Sequence, residues 1–412
     1  MSLSHLFFLL SVASLPVQLN KFFFITNSYV LGIPIDYRAP ALYLSDIFII
    51  LAITTTAISY RSKLTQFVAS CHDLIIPALI FTGYLMINSL TTSSDKVASV
   101  IFTFKIIELT FYVVTAVFLL SQKKIRPTLQ KILKITIAWQ STLAIAQFVL
   151  QKSLGLYILG ERSFDVGTSQ IAHISLFGTK FLRSYGTFPH PNVLAAFLLV
   201  AVVASNLKIS ANGNGKRSVN LHTGDKWLVV LAALGILLTF SKTAIFLGIF
   251  YALINTKKPV VRVVFITLTA LILSVYLKYF TQTYIETVAE RILLSQVAIN
   301  ISQQNPIFGV GANNFILHLA NLNLISIGQV RLLQPVHNVF LLVTAENGII
   351  GLILLSALLI KAFEKATKTS SIFLCAAVLT YLSVDHFLWT LHQGQMLLFL
   401  TIALIYSSKK KP

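Results

Sequence analysis

Long apolar stretches alternate with short polar connections along the whole chain. A stretch of about 20 apolar residues is long enough to cross a bilayer as an α-helix. An apolar run between Trp227 and Thr256 is interrupted at Thr239, Ser241 and Lys242, and it is too long for one crossing, so we divide it in two. The pattern predicts about twelve spans, at 5–25, 41–60, 72–90, 97–121, 131–151, 190–208, 225–240, 242–256, 260–279, 337–360, 370–387 and 391–408. We therefore predict an all-α, polytopic membrane protein in which residues 1–412 form a single membrane domain.

The composition agrees with a membrane protein and excludes several other classes. Hydrophobic residues make up 56% of the chain and charged residues 11%, whereas about 25% of a typical soluble protein is charged. The segment from Leu3 to Val17 lacks a basic leader and a clear cleavage site, so we interpret it as part of a span and not as a signal peptide. Two cysteines, Cys71 and Cys375, provide neither a disulfide framework nor a zinc pattern. No metal and no cofactor are predicted.

The net charge of +19 reflects topology and does not imply a nucleic-acid partner. Lysine and arginine concentrate in loops on the cytoplasmic side of membrane proteins. Most of the 32 basic residues fall in alternate connections when both termini are cytoplasmic, at 61–63, 123–134, 208–226, 257–262, 361–368 and 409–411. We predict a multi-pass protein of the inner (cytoplasmic) membrane with this orientation.

Two connections, both on the predicted outer side, are too long to be simple turns. These are 152–189 and 280–336, and long ordered loops are usually functional. Apolar residues recur at helical intervals between Tyr284 and Ile301, which predicts a helix lying on the outer membrane face. Asn305, Pro306, Gly309 and Gly311 then predict a tight turn.

Four motifs resemble those of one family. His337 and Asn338, followed after nine residues by Gly348 and then Gly351, resemble the His-(Asn/Ser/Gln)-x9-Gly-x-x-Gly signature of O-antigen ligases and related polysaccharide polymerases. Three further stretches fall in the order that this family shows: Tyr185–Ala195 (YGTFPHPNVLA), Leu238–Thr243 (LTFSKT) and Asn305–Phe315 (NPIFGVGANNF). The resemblance covers about residues 180–400, and the first five spans match only as generic membrane helices.

The resemblance implies a membrane glycosyltransferase. Such an enzyme transfers a glycan from an undecaprenyl diphosphate carrier to a hydroxyl of a lipid or glycan acceptor at the outer face of the inner membrane. A diphosphate is a stable leaving group, so the reaction needs a base for the hydroxyl and cations for the diphosphate. We expect an inverting, metal-independent reaction. Ligase and polymerase differ in their acceptor, and the sequence leaves both open.

His337 is the candidate base, because the ordinary pKa of histidine lies near neutral pH. The alternative is a histidine that only caps a helix end. In a straight helix, Gly348 and Gly351 would lie near the face of His337. There, their lack of side chains could leave space beneath the histidine or allow a neighbouring helix to approach. Glu346 would lie nearly opposite. It is either functional or held by a buried ion pair or hydrogen bond to another span.

Four basic residues on the outer side are candidates to bind the diphosphate. Arg291 matches the family's basic residue in the large loop and is the strongest candidate. Lys242 stands where the family usually has arginine. A lysine keeps the charge but lacks the planar guanidinium group that binds two phosphate oxygens at once. Arg183 and Arg331 are weaker candidates. The alternatives are a solvated helix face for Arg291, a snorkelling lysine for Lys242 and lipid headgroup contacts for the other two.

Other polar residues receive supporting or structural roles. Asp385 matches an acidic residue of the family and is expected to orient His337 or a cationic ligand, unless it is a plain helix-end acid. Pro189 and Pro191 fix the start of the sixth span, Asn192 is the expected cap, and His190 is interpreted as a turn residue. Lys105 and Glu108 are expected to pair with each other. The spacing of His318, His386 and His392 indicates no chemistry.

A transporter or flippase for a lipid-linked or anionic substrate is the alternative function. Such proteins tend to carry ionisable groups near the bilayer midplane and internal repeats. Here the predicted midplane is nearly empty and no repeat is evident. The cations that topology does not explain gather at one face, which favours chemistry at the membrane surface.

Overall fold

The computed structural model describes residues 1–122, 124–176, 178–206, 223–256, 281–321, 326–327 and 330–408, and it is mainly helical. The α-helices are α1 (Leu3–Ser14), α2 (Leu44–Ser59), α3 (Arg61–Ser70), α4 (His72–Thr91), α5 (Lys96–Leu120), α6 (Ile125–Leu150), α7 (Pro191–Ser205), α8 (Thr223–Leu238), α9 (Lys242–Asn255), α10 (Thr281–Gln304), α11 (Phe315–Asn321), α12 (Val339–Phe363), α13 (Thr369–Val384), α14 (Phe387–Thr390) and α15 (His392–Tyr406).

Short antiparallel strand pairs lie in the connections between helices. β1 (Asn20–Phe22) pairs with β4 (Ala41–Tyr43), and β2 (Tyr29–Val30) pairs with β3 (Ile33–Pro34) between them. Two further hairpins join β5 (His173–Leu176) to β6 (Thr179–Leu182) and β7 (Ser326–Ile327) to β8 (Val330–Arg331). The all-α prediction therefore holds for the predicted spans and misses these small pairs.

Every predicted span within the described residues contains a helix, and the span at 260–279 lies outside them. The largest difference is at the N-terminus, where the predicted span 5–25 is wrong in length. α1 ends at Ser14, because Pro16 offers no amide hydrogen and disfavours helix in the residue before it. Residues 20–22 form a strand instead.

Four helices are long and apolar enough to cross a membrane: α4, α5, α6 and α12. The helices α2 and α3, which meet at a bend of 103°, provide a fifth candidate if they form one span. Shorter apolar helices stand at the other predicted positions: α1, α7, α8, α9, α13 and α15, with α8 apolar from residue 226 onwards. The described residues thus give four or five candidate spans, and twelve spans remain a prediction.

The chain divides into two compact units. The first comprises residues 1–11, 20–123 and 289–412, and in it α4 packs against α5 and α12 while α5 also packs against α2 and α15. The second comprises residues 12–19 and 124–288, with α6 packed against α7 and α8. The predicted single domain 1–412 therefore contains two units.

A charged cluster lies among the helices of the first unit. The predicted pair is present: Lys105 Nζ lies 2.7 Å from Glu108 Oε2, and it also lies 2.9 Å from Asp46 Oδ2 at the start of α2. His392 Nε2, at the start of α15, lies 2.7 Å from Ser45 Oγ. Buried charges are tolerated when they are paired in this way, and the cluster joins α2, α5 and α15.

The helix α12 is broken at Gly348, so the straight helix assumed from the sequence is wrong. Gly348 has φ 64° and ψ −171°, a conformation that only glycine adopts readily. The break frees backbone groups, and the segment 305–311 binds them. The amides of Val310 and Gly311 donate to the carbonyls of Ala345 and Glu346 at 3.1 and 2.7 Å, and the amide of Ile349 donates to the carbonyl of Pro306 at 2.9 Å.

Side chains of α4 complete this arrangement. The Tyr84 hydroxyl donates to the carbonyl of Asn347 at 2.5 Å, and the Asn88 amide donates to the carbonyl of Phe308 at 2.7 Å. Gly309, with φ 68°, packs so closely that a Cβ there would collide with the backbone of Glu346. Gly348 and Gly309 therefore allow the backbones of α12 and of the segment 305–311 to approach closely.

The two long connections contain secondary structure of their own. The predicted helix at Tyr284–Ile301 is confirmed as part of α10, which ends at Gln304 before the expected turn. Its location on the outer membrane face stays a prediction. In the connection 152–189, β5 and β6 form a hairpin, and Phe164, Leu182 and Tyr185 form a small apolar core.

We predict that Gly348→Ala destabilises the protein. An alanine would be strained at this φ and ψ, and its Cβ would collide with the carbonyl oxygen of Ile307. The expected loss of unfolding free energy is about 1–3 kcal/mol, measured as a lower thermal midpoint of the purified protein in detergent. Gly83→Ala in α4 is the matched control, because open space surrounds its Cβ position. Equal midpoints for both variants would contradict the prediction.

Candidate functional site

The start of α12 leaves His337 outside the helix. Asn338 is the N-cap, and its side-chain oxygen accepts a hydrogen bond from the amide of Leu341 at 3.0 Å. Capping stabilises the first turn of a helix. Because Asn338 provides the cap, the His337 ring can contact other elements.

The His337 ring lies beside Asp385, at the C-terminal end of α13. His337 Nδ1 is 3.3 Å from Asp385 Oδ1, and the two side chains are 19% and 9% exposed. Asp385 directly follows α13, and its amide donates to the carbonyl of Tyr381. The expected proximity of His337 and Asp385 is thus present, while the role of each residue stays a prediction.

His386, for which the sequence indicated no chemistry, belongs to the same cluster. Its ring centroid lies 4.9 Å from that of His337, and its amide donates to Asp385 Oδ1 at 2.8 Å. It is buried in the turn between α13 and α14. In the sequence, only its position next to Asp385 indicated that His386 could belong to this cluster.

Arg291 reaches this cluster from α10. Its Nη1 donates to the carbonyl of Val384, the last residue of α13, at 3.2 Å. Its Nε is buried and has no hydrogen-bond partner among the described residues. A buried guanidinium N–H without an acceptor is costly. The geometry therefore leaves a donor available for a ligand next to Asp385 and His337.

The structure thus groups His337, Asp385, His386 and Arg291 around the end of α13. One ligand atom from each of His337, Asp385 and His386 lies within 4.8 Å of the others. Two imidazoles and a carboxylate are groups that could hold a divalent metal. The same groups can also act as a hydrogen-bonded base.

Glu346 is directed away from His337. It is buried, and its Oε1 accepts a hydrogen bond from the amide of Phe315, the first residue of α11, at 3.0 Å. This hydrogen bond joins Glu346 to the start of α11, whereas the structural alternative from the sequence was a bond to another span. Gly351 faces α4, where a Cβ would lie 3.4 Å from the Tyr84 ring, so a neighbouring helix does approach there.

Arg183 and Lys242 belong to the second unit. Arg183 Nε donates to the carbonyl of Thr239 at 2.7 Å, which places it at the turn between α8 and α9. Lys242 follows this turn as the exposed first residue of α9. The amides at a helix N-terminus attract anions, so the turn combines two basic side chains with an anion-attracting backbone.

The cap of α7 differs from the prediction. His190 is the N-cap residue, and its Nδ1 accepts from the amide of Asn192 at 3.1 Å. Asn192, the predicted cap, instead accepts from Arg183 Nη2 through its side-chain oxygen at 2.9 Å. Pro191 occupies the first helical position, where its fixed φ is favourable. His190 is therefore structural, as expected.

Arg331, the last of the predicted cations, lies in β8 of the first unit, and its side chain is outside the described residues. Arg291 and Arg331 thus belong to the first unit, whereas Arg183 and Lys242 belong to the second.

Comparison with known protein families supports the resemblance for part of the chain. Residues 227–356 match the O-antigen ligase family. This segment is less than half of the chain, and it is similar to that family. The matched segment contains Lys242, Arg291, His337 and both signature glycines, while Arg183 and Asp385 lie outside it. No curated protein matches the chain. The resemblance is confirmed for these residues, and the apolar helices fit a membrane protein.

We predict that Glu346→Leu exposes the Phe315 amide to exchange. Leucine removes the acceptor of a buried N–H, at a cost of about 1–3 kcal/mol, so hydrogen exchange at the start of α11 should accelerate. Glu346→Gln, which retains a side-chain oxygen, is the matched control and should exchange nearly as slowly as the wild type. Equal protection in all three proteins would show that Glu346 does not hold α11.

Proposed function

We propose that the protein transfers a glycan from an undecaprenyl diphosphate carrier to an acceptor hydroxyl at the outer face of the inner membrane. It acts as an O-antigen ligase or as a related polysaccharide polymerase, with inversion and without a metal. The observation that carries the proposal is the cluster of His337, Asp385 and Arg291 in a chain with an O-antigen ligase match.

In this proposal His337 is the general base. With Nδ1 directed at Asp385, the tautomer that donates from Nδ1 leaves Nε2 to accept the proton of the acceptor hydroxyl. The Asp385 carboxylate then stabilises the imidazolium that forms. This is the pairing of a base and an orienting acid that activates hydroxyl groups in other enzymes.

The bond changes follow from direct displacement. The acceptor oxygen forms a bond to the anomeric carbon, and the bond from that carbon to the diphosphate oxygen breaks on the opposite side, which inverts the configuration. The electron pair leaves with the carrier diphosphate. The acceptor proton resides on His337 until it is released to water. No general acid is needed, because the diphosphate is stable as an anion.

Arg291 is the proposed contact of the departing diphosphate. Its guanidinium carries a permanent charge, and Nε retains an unused donor among the described residues. Lys242 and Arg183 are proposed as further contacts of the anionic carrier, supported by the helix N-terminus at Lys242. Arg331 is proposed as a weaker contact.

The proposal includes the topology that such a reaction requires. Twelve spans with both termini in the cytoplasm would place 152–189 and 280–336 on the outer side, where lipid-linked glycans are presented. The bias of lysine and arginine between alternate connections supports this orientation. Fusion of a reporter to each connection tests it.

Ligase and polymerase are separated by what accumulates without the protein. Mass analysis of the carrier-linked glycans in a deletion strain distinguishes the two activities. Single repeat units on the carrier would indicate a polymerase, and finished chains would indicate a ligase.

We predict that His337→Ala abolishes glycan transfer. The acceptor hydroxyl would lose its base, and general-base catalysis contributes typically about 10²–10⁴-fold. Transfer is measured with the purified protein in liposomes that contain carrier-linked glycan and acceptor. His72→Ala is the matched control, because His72 is exposed at the start of α4.

Full activity of His337→Ala would disprove the mechanism, as long as the variant is as abundant and as thermally stable as the wild type. The same assay in excess chelator should retain activity, because no step needs a metal. Loss of activity that returns only with an added divalent ion would instead indicate a metal at His337, Asp385 and His386.

We predict that Arg291→Ala weakens donor binding more than acceptor binding. A charge-assisted hydrogen bond to an anion contributes about 1.5–3 kcal/mol, so the KM for the donor should rise by about 10–100-fold. Arg291→Lys keeps the charge without the planar fork and should lie between alanine and wild type. An unchanged donor KM in Arg291→Ala would exclude this arginine from the diphosphate site.

A further inference from the structure

The turn between β3 and β4 carries a buried arginine next to an aromatic residue. The side chain of Arg38 is 1% exposed and forms an ion pair with Asp95, the N-cap of α5. Its Nε donates to the carbonyl of Asn27 at 3.0 Å, and its Nη1 donates to the carbonyl of Asn313 at 2.6 Å. One guanidinium thus fixes this turn to α5 and to the outer loop before α11.

The neighbouring Tyr37 is held at both its backbone and its ring. Its carbonyl accepts from the side-chain amide of Asn313 at 2.9 Å. Its ring centroid lies 5.8 Å from that of His386, with the ring planes at 85°. His386 in turn contacts His337. The first half of the chain, outside the family match, therefore brings an aromatic ring to the histidine pair.

We propose that the Tyr37 ring binds a sugar ring of the substrate beside His337, and that Arg38 is the residue that positions Tyr37. The inference rests on the proposed transfer of a glycan. It adds a binding residue for the sugar, which neither the His337 base nor the Arg291 cation provides.

The chemistry of the site supports this assignment. A glycan at the reaction centre presents apolar C–H faces together with hydroxyl groups, and binding sites for such ligands combine aromatic surfaces with a few polar groups. The Tyr37 ring is half-buried, so part of its surface stays accessible. A tyrosine also loses little conformational entropy on binding, because only two side-chain torsions must be fixed.

Two sugars could occupy this position. The acceptor sugar brings its hydroxyl to His337, and the donor sugar brings its anomeric carbon to the same point. Both present the same C–H faces to an aromatic ring. The kinetic test therefore varies donor and acceptor separately, and the substrate whose KM changes identifies the sugar.

The test compares Tyr37→Leu, Tyr37→Phe and Tyr37→Trp in the liposome transfer assay. Leucine removes the ring while retaining an apolar side chain, and loss of one aromatic contact corresponds to at most about a tenfold change. We expect the KM for either donor or acceptor to rise about five- to tenfold in Tyr37→Leu, with kcat nearly unchanged. Phenylalanine and tryptophan keep the ring and should keep the KM within about twofold of the wild type.

Tyr29→Leu is the matched control, because Tyr29 is a 46% exposed aromatic of the same connection. It should behave as the wild type. Unchanged KM values in Tyr37→Leu, or a loss of kcat with both KM values unchanged, would overturn the proposal. If Tyr37→Leu fails to fold, a KM that rises in Tyr37→Phe or Tyr37→Trp overturns it as well.

Arg38→Gln tests the positioning role. If Arg38 acts through Tyr37, Arg38→Gln should raise the same KM as Tyr37→Leu, and the double variant should show no further rise, because the two changes remove one interaction. Additive effects would exclude positioning. The proposed function is tested independently by His337→Ala: inactivity of that variant together with a wild-type KM in Tyr37→Leu would reject this inference alone.

Discussion

The break in α12 at Gly348 is the constraint on which the rest of the site depends. A helix in a membrane must satisfy its backbone polar groups within protein, because hydrocarbon offers no hydrogen bonds. Here the segment 305–311 and Tyr84 bind the groups that the break frees. The connection between α10 and α11 is thereby fixed to the same helix whose first turn follows His337. Two distant parts of the chain thus become one rigid frame for the candidate base.

The protein contains few charged residues, and some of the buried ones among them form ion pairs. Only 11% of the residues are charged, and a buried charge is tolerated when it is paired. Arg38 pairs with Asp95, and Lys105 pairs with Asp46 and Glu108. Arg291 differs, since a backbone carbonyl is its hydrogen-bond partner and one buried N–H has none among the described residues. That difference, more than the net charge, is the reason for proposing Arg291 as a contact for an anionic ligand.

Several features of the site were predictable from the sequence for local reasons. A proline or a glycine acts within one or two turns of its own position, so the end of α10 before Asn305 was predicted. The span predicted to begin at His337 begins two residues later, because Asn338 is the cap. Local sequence patterns also gave wrong predictions for the length of α1 and for the cap of α7. Pro16 and the pairing of 20–22 with 41–43 shorten α1, and His190 caps α7 in place of Asn192 because Arg183 binds the asparagine.

The sequence by itself determined the helical membrane class, the positions of the apolar helices and the resemblance carried by His337 and its glycines. These depend on periodicity and spacing within short segments. The tertiary structure alone decided that α12 is broken and that Glu346 accepts a hydrogen bond from the first residue of α11. It also decided that His386 contacts His337, that Arg291 binds the carbonyl before Asp385, and that Tyr37 contacts His386. Those contacts join residues far apart in the chain, such as Arg38 and Asn313 at a separation of 275 positions. No local pattern encodes a pairing over that distance, because it depends on how the helices pack.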